Sequence, residues 1–310
     1  MASRAAKASA EVKSVLIAYD FSEAAQKPLR HALAVARHYG AKFHLVNVVS
    51  SLGYTIVGPQ AANLAAERTQ RDARRLEKEL LASGALAGLE HEFIIREGEV
   101  WEQLELVIKE KKVDLVVVGT HGRGSLGKLI LGSVAERVFR NAECLVGTVG
   151  PGSYEDALTE KTGEVRPFLF ATDFGVASLH ALPYALSFAS HFKARLIVLH
   201  VLPAAPIPEG FHWSTTGDLD QMRERARVES ERQFGEMIRQ SGPMETQPEF
   251  MVKYGIPSDQ ILLASHMLRS DLIILGLRRP AHSEVAAHTP WDIAYKVVSS
   301  AYCPVLTIRN

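Results

Sequence analysis

The stretch VLIAYDF, Val15–Phe21, returns 153 residues later as FLFATDF, Phe168–Phe174. Each copy is a short apolar run that ends on Asp-Phe. A run of this kind predicts a buried strand of a parallel sheet that stops at a turn. Its return predicts that the chain contains two copies of one domain.

The repeat continues along the whole chain, and the order of its parts is preserved. The further matches are LVNVV (Leu45–Val49) with VLHVL (Val198–Leu202), DLVVVG (Asp114–Gly119) with DLIILG (Asp271–Gly276), and AECLVGTV (Ala142–Val149) with AYCPVLTI (Ala301–Ile308). We therefore expect two domains, residues 1–150 and residues 164–310. The segment between them, residues 151–163, is rich in glycine and charge and is predicted to be a linker.

Strand-like and helix-like segments alternate within the first half. The predicted strands are Val15–Ala18, Phe43–Val49, Glu92–Ile95, Leu115–Val118 and Leu145–Val149. Helical spacing of apolar residues occurs around Leu29–Ala36 and Val100–Ile108, and the charged segment Asn63–Ser83 is a third predicted helix. This alternation predicts an α/β fold, a doubly wound parallel sheet of the Rossmann-like type. Ligands of such sheets bind at the carboxyl ends of the strands, where the strand order reverses.

Composition narrows the class of protein. The 310 residues include 35 Lys and Arg and 35 Asp and Glu, so the chain lacks the basic excess of a general nucleic-acid binder. The two cysteines, Cys144 and Cys303, provide no disulfide framework, and we expect them to be small core residues in a cytoplasmic protein. No apolar stretch is long enough for a membrane span, and the first residues lack the apolar region of a secretory signal.

A glycine-rich loop follows the fourth predicted strand. The sequence is VVVGTHGRGSLGKLILGSVAERV, Val116–Val138, with glycines at 119, 122, 124, 127 and 132. Glycines leave backbone N–H groups uncovered, and Ser133 opens a helix-spaced segment in which its hydroxyl is expected at the N-terminal cap. A helix N-terminus at this edge predicts a phosphate site. The alternative is that the glycines only turn the chain and cap the helix.

Two nucleotide-binding motifs resemble this loop without fitting it. Gly122–Leu129 matches the P-loop pattern except that Leu129 stands where a Ser or Thr must hold magnesium. The glycine spacing also resembles a dinucleotide fingerprint, but that motif follows the first strand of a sheet. Both motifs are rejected.

Taken together, these residues resemble the universal stress protein family in a tandem form. The family's ATP-binding signature, G-x2-G-x9-G-[S/T], is present in full as Gly119, Gly122, Gly132 and Ser133. The resemblance implies two adenine nucleotide alpha hydrolase-like domains, with ATP and its Mg²⁺ as the ligand. It also implies a regulatory role in stress response, for which the protein partner is unknown.

The resemblance further assigns roles to residues of the first half. Asp20 and the Val48 backbone would contact the adenosine end, and Val118 and Gly119 would line the ribose. The residues implied at the phosphates are Gly122, Gly132, Ser133 and Val134. Arg123, His121 and Lys128 lie inside the loop, where they can either approach the phosphate charge or form solvated surface, and solvated surface is expected for at least two of them. Whether ATP, AMP or cyclic AMP is preferred stays open, because contacts to base and ribose can be made by the main chain.

The second half departs from the signature. Asp173 and Val201 stand where the first half has Asp20 and Val48, but Arg279 replaces the second glycine. The repeat also places Trp291 opposite Gly132 and Asp292 opposite Ser133. An indole would fill the phosphate space, and Asp292, expected as a helix cap, would repel the anion. No triphosphate binding is predicted in this half.

No group of residues beside the loop has the pattern of a general acid–base site. Binding with slow or no hydrolysis is therefore preferred. Two alternatives stay open: a nucleotide-free scaffold, and a slow ATPase that uses His121. The apolar last strand of each half predicts a pairing edge, so we expect the halves to form an intrachain pseudo-dimer and two chains to form a homodimer.

Overall fold

The computed structural model describes residues 11–50, 59–120, 131–154, 158, 166–202, 216–241, 247–278 and 290–310. The chain divides into two compact units, Met1–Gly163 and Glu164–Asn310, called here the first and the second unit. In the described part of the chain, no helix is long and apolar enough to cross a membrane.

The first unit alternates strands with helices. Its strands are β1 (Ser14–Ala18), β2 (Lys42–Ser50), β3 (His91–Gly98), β4 (Leu115–Gly119) and β5 (Leu145–Val149). Its helices are α1 (Gln26–Tyr39), α2 (Pro59–Ala82), α3 (Val100–Glu110) and α4 (Ser133–Asn141), and a short 3-10 turn, Glu23–Ala25, precedes α1. The strand order is β3-β2-β1-β4-β5, and the pairs from β3 to β5 are parallel.

The second unit repeats this arrangement. Its strands are β6 (Phe168–Thr172), β7 (Leu196–Leu202), β8 (Glu249–Tyr254), β9 (Leu272–Leu277) and β10 (Val305–Arg309). Its helices are α5 (Val176–His191), α6 (Thr216–Gln240), α7 (Pro257–Met267) and α8 (Pro290–Ser300). The order is β8-β7-β6-β9-β10 with parallel pairs. Each unit is thus the doubly wound parallel sheet that the sequence predicts.

The apolar patterns are explained by burial on both faces of the sheets. Val15, Leu16 and Ile17 of β1 are completely buried, as expected for a central strand of a parallel sheet. The predicted stripe of α1 is also buried, and the helix ends at Gly40, whose φ of 62° is in the left-handed region. Glycine adopts this conformation without steric cost. In both units the strand order reverses beside the first strand, between β1 and β4 and between β6 and β9.

One polar side chain is buried within the first sheet. His44 in β2 is 1% exposed, and its Nδ1 lies 3.4 Å from Glu92 Oε2 without forming a hydrogen bond. Glu92 instead accepts a hydrogen bond from Lys111 Nζ at 3.0 Å. Burial is the main reason why the pKa of His44 is below its usual value of 6.5. Folding therefore favours the neutral form of this imidazole.

Because the unfolded chain binds this proton more readily, acid should destabilise the protein. We expect the contribution of His44 to be fully present above pH 6.5 and to be lost as pH falls below that value. The free energy of unfolding should fall by at most about 1.4 kcal/mol per pH unit through this group. Urea unfolding should be measured between pH 7.5 and 5. The free energy of unfolding should decrease less over this range in His44→Gln than in the unaltered protein. The exposed His180→Gln is the control, and an unchanged loss in His44→Gln would contradict the assignment.

Candidate functional site

The chain turns sharply where β1 ends. Phe21 has a φ of 58°, in the left-handed region that side chains rarely adopt. This turn lets Asp20 Oδ1 accept hydrogen bonds from Ser22 N at 3.0 Å and from Ser22 Oγ at 2.6 Å. The half-buried Asp20 carboxylate is therefore held in one orientation at the carboxyl edge of the sheet.

The neighbouring strand β2 brings Val48 to the same level. Ala18 of β1 pairs with Val46, so the half-buried Val48 lies level with Asp20. Asn47, which the sequence analysis did not single out, is buried and donates from Nδ2 to the Tyr19 carbonyl at 2.6 Å. This bond ties β2 to the segment that leaves β1. Its sequence signal was weak, because a polar residue within an apolar run also fits a partly exposed strand.

The end of β4 completes this edge. Val118 is buried and Gly119 is half-buried, and they are followed by Thr120, which is 1% exposed. Thr120 N donates to the Val149 carbonyl at 3.0 Å, and Gly132 N donates to the Thr120 carbonyl at 2.7 Å. The second bond holds the N-terminus of α4 directly beside the carboxyl end of β4. Gly119, Gly132 and Ser133 of the signature are therefore brought to the edge where the strand order reverses.

The expectation that Ser133 caps α4 was wrong. Gly132 is the N-cap, and Ser133 is the exposed first residue of the helix. Gly132 has φ of −60° and ψ of 150°, an extended conformation that any residue can adopt. The glycine is thus not required by the backbone. Its effect is that no cap side chain covers the N–H groups of Ser133 and Val134, while Glu136 N is bonded to the Gly132 carbonyl.

The electrostatics of this edge favour binding an anion over proton transfer. The first N–H groups of a helix have no acceptor within the helix and carry a partial positive charge. Burial, followed by the negative charge of Asp20, raises the pKa of Tyr19 to about 12, and Gln26 Nε2 donates to its hydroxyl at 2.7 Å. Tyr19 is therefore neutral at physiological pH. In the described part of the chain, no group of three His, Cys, Asp or Glu is arranged to hold a metal ion.

Part of the predicted site lies outside the described residues. Gly122 and Arg123 belong to the segment 121–130, together with His121 and Lys128. Their expected approach to the phosphates stays a prediction.

The second unit repeats the turn after its first strand. Phe174 has a φ of 58°, and Asp173 Oδ1 accepts from Gly175 N at 2.8 Å and from Ser178 Oγ at 2.7 Å. Thr172 pairs with His200, so Val201 lies level with Asp173. His200 takes the place of Asn47, and its Nδ1 lies 2.8 Å from the Thr172 carbonyl, to which it donates. This histidine is a structural link between two strands.

The helix that follows β9 begins differently from α4. Helix α8 starts at Pro290, two residues before Asp292, the counterpart of Ser133. The expectation that Asp292 caps the helix was therefore wrong, since this exposed residue lies inside the first turn. Pro290 has no N–H to offer. Ala294 lies far enough inside the helix for its N–H to be bonded to a helix carbonyl. Fewer donors are left here for an anion. Arg279 and the Trp291 side chain lie outside the described residues.

A cavity of about 150 Å³ lies at the carboxyl edge of the second sheet. Its walls come from the ends of β6, β7 and β9 and from α7 and α8. Apolar side chains predominate in the lining, and Asp173, Ser178 and His200 are among its polar residues. The second unit therefore contains a pocket at the position that corresponds to the edge formed by Asp20, Val48 and Gly119 in the first unit.

Comparisons with known proteins agree with this architecture. A universal stress protein of Thermus aquaticus is 31% identical over 135 residues, which are 43% of this chain and 96% of that protein. A universal stress protein of Methanocaldococcus jannaschii is 27% identical over 135 residues, which are 43% of this chain and 79% of that protein. The crystal structure of a universal stress protein from Archaeoglobus fulgidus matches with a TM-score of 0.66 at 18% identity and covers 97% of both chains.

The model of the universal stress protein family matches this chain twice, over residues 11–149 and 164–309. The two matches together include most of both units. They confirm the resemblance that the glycine signature and the internal repeat indicate. The chain therefore belongs to the universal stress protein family, with one copy of the family's domain in each half.

Proposed function

We propose that this chain is a regulatory ATP-binding protein of stress response, with one ATP site per chain in the first unit. The observation that carries the proposal is the conformation of Gly132. Gly132 has a backbone conformation that does not require glycine, and it leaves the first N–H groups of α4 without a cap side chain at the edge where ligands of this fold bind. The alternative is that the glycines only turn the chain and cap the helix, and titration with nucleotide distinguishes the two.

In this proposal each part of the site binds a different part of ATP. Asp20 and the Val48 backbone receive the adenosine end, and Val118 and Gly119 line the ribose. The triphosphate lies over the N-terminus of α4, where the N–H groups of Ser133 and Val134 donate to it, and Gly122 and Arg123 complete its surroundings. Mg²⁺ would be held by phosphate oxygens and water, as is usual for this ion. Bound ATP would then order the site and shift the affinity for a protein partner.

The test is calorimetric titration of the full chain with Mg-ATP, AMP and cyclic AMP. We expect one ATP bound per chain, and adenine nucleotide should be released when the purified protein is denatured. The same titrations compare the affinities of the chain for the three nucleotides. An empty protein at millimolar ATP would support the nucleotide-free scaffold instead, and two equivalent ATP sites would contradict the proposed difference between the units.

Bound ATP should be recovered largely intact after hours of incubation. In the described part of the site, Tyr19 is neutral and Asp20 accepts two hydrogen bonds from Ser22, so neither is poised to activate water. Any residual turnover should be the same in His121→Ala as in the unaltered protein, measured by phosphate release. A loss of turnover in that variant would instead support the slow ATPase.

The remaining expectations stay predictions. They concern the cytoplasmic setting, the pairing of the two halves and the homodimer.

A further inference from the structure

We infer that two copies of this chain associate through the outer face of α7. This outer face is defined by Ile256, Leu263 and Met267, which lie on the exposed side of the helix and its N-terminal cap. Tyr302 adjoins the face, because its ring lies 5.1 Å from that of His266. The inference is independent of ATP binding and rests on the expected homodimer, for which it names a surface.

The outer face is apolar and open to solvent. The exposed fractions are 62% for Ile256, 50% for Leu263, 70% for Met267 and 49% for Tyr302. Residues 256, 263 and 267 are seven and four positions apart, so their side chains form one stripe along the helix. The opposite side of α7 is also apolar and includes the buried Ile261. A surface helix normally has a polar outer side, so an apolar one here indicates a contact surface.

The first unit has carboxylates at most of the same positions. In the repeat, Ile256, Leu263, Met267 and Tyr302 correspond to Glu99, Leu106, Glu110 and Glu143. Three glutamates of the first unit are thus replaced by an isoleucine, a methionine and a tyrosine in the second. The two helices otherwise occupy the same place in the fold, each between the third and the fourth strand of its unit. The apolar face is therefore a property of α7 and is not imposed by the fold.

Charge favours a second copy of the chain as the occupant of this face. Asp259 is the only Asp, Glu, Lys or Arg of α7, and its Oδ1 accepts a hydrogen bond from Lys296 Nζ at 2.6 Å. In the first unit the carboxylate of the corresponding ion pair belongs to Glu99, which lies 2.6 Å from Arg137. A two-fold axis brings each charge near the axis against its own copy. A face without carboxylates can pair with itself, whereas carboxylates at these positions would repel each other.

The stripe also matches itself when two copies of α7 lie antiparallel. At a rise of 1.5 Å per residue, positions 256 and 267 are about 16 Å apart along the helix. If Ile256 of one copy lies against Met267 of the other, the two-fold axis places Met267 of the first against Ile256 of the second. The two Leu263 side chains then lie near the middle, about 4 to 5 Å apart along the helix axis. Each large apolar side chain of the stripe thus meets an apolar partner.

The exposed area indicates a weak association. At about 200 Å² for a large side chain, the three residues of the outer face and Tyr302 offer about 450 Å² per copy, or about 900 Å² per pair. Stable interfaces bury about 1,200 to 2,000 Å², and transient ones bury less. We therefore expect monomer and dimer in equilibrium, with a dissociation constant of about 0.1 mM.

The first test is sedimentation equilibrium of the full chain at concentrations from about 10 μM to about 1 mM. The mean mass should rise from that of one chain towards that of two. The double variant Ile256→Glu, Met267→Glu copies Glu99 and Glu110 and should weaken the association by at least about tenfold. Both positions are exposed, so the variant should fold, as thermal unfolding would verify. Leu106→Glu on α3 is the matched control and should leave the association unchanged.

The second test is disulfide cross-linking under mild oxidation. Leu263→Cys should form a covalent dimer, whereas the control Leu106→Cys, at the corresponding exposed position of α3, should not. Both variants keep Cys144 and Cys303, so any reaction of these thiols is common to them. A mixture of Ile256→Cys and Met267→Cys should cross-link the two variants to each other more than either variant to itself, because the helices are antiparallel.

The outcomes separate this surface from the homodimer in general. A mean mass that stays that of one chain at every concentration would overturn both the homodimer and the inference, and would leave the face for a different protein. A dimer that persists in the double variant, with no cross-link through Leu263→Cys, would overturn this surface alone.

Discussion

Replacing Gly132 by tryptophan is expected to weaken ATP binding by more than about 100-fold, which corresponds to the loss of two hydrogen bonds to charged phosphate oxygens. The indole would lie over the first turn of α4, where the N-cap has no side chain that bonds the N–H groups of Ser133 and Val134. The substitution copies the second half of the chain, in which Trp291 occupies this position in the repeat. Calorimetric titration with Mg-ATP measures the effect.

The backbone at Gly132 makes this a clean test. Its φ of −60° and ψ of 150° accept a side chain without strain, so Gly132→Trp should fold, as thermal unfolding would verify. Gly132→Ala is the matched control, and its single methyl group should reduce affinity far less. The reciprocal change, Trp291→Gly, should not create ATP binding, because α8 already begins at Pro290. Unchanged affinity in a folded Gly132→Trp protein would refute the proposed phosphate site.

Replacing Gly276 by alanine should destabilise the second unit by about 1 to 3 kcal/mol, the usual cost of a forced overpacking. A Cβ added at Gly276 would lie 2.3 Å from the carbonyl oxygen of Ala177 and 2.8 Å from Ser178 N. These are backbone atoms of the first turn of α5, so they cannot move aside as a flexible side chain can. Either β9 or α5 must shift.

Gly235 provides the control for this variant. It lies within α6, and a Cβ added there meets nothing within 4 Å. Gly235→Ala should therefore stabilise the protein by about 0.5 to 1 kcal/mol, because alanine favours the helix over glycine. Urea unfolding of both variants measures the difference. A Gly276→Ala protein as stable as Gly235→Ala would show that α5 does not pack so closely on β9.

Gly276 also shows why a motif glycine has more than one explanation. In the repeat it corresponds to Gly119, which belongs to the nucleotide-binding signature. In the second unit its lack of a side chain is required by the close approach of α5. At Gly132 the backbone conformation accepts a side chain, and the glycine is the N-cap of α4, where it places no side chain over the first N–H groups. The sequence does not distinguish a glycine required by close packing from a glycine at a helix start, because both positions are simply glycine.

The amino-acid sequence by itself determined the tandem α/β fold, the order of strands and helices, and the edge at which the glycine signature lies. These follow from local periodicity and from an internal repeat, which need no knowledge of distant contacts. Helix starts were less predictable: α4 begins one residue after its glycine cap and α8 begins at Pro290, because a start depends on which backbone groups find acceptors.

Only the tertiary structure decided what the second unit offers a ligand. The sequence predicted the loss of a phosphate site from Trp291 and Asp292, but it did not indicate a cavity. That cavity exists because Ala171, Leu199 and Leu275 come together from three strands and meet Ile261 and Ala294 from two helices. Residues so far apart in the chain leave no joint pattern in the sequence, since the volume between them is fixed by packing and not by spacing.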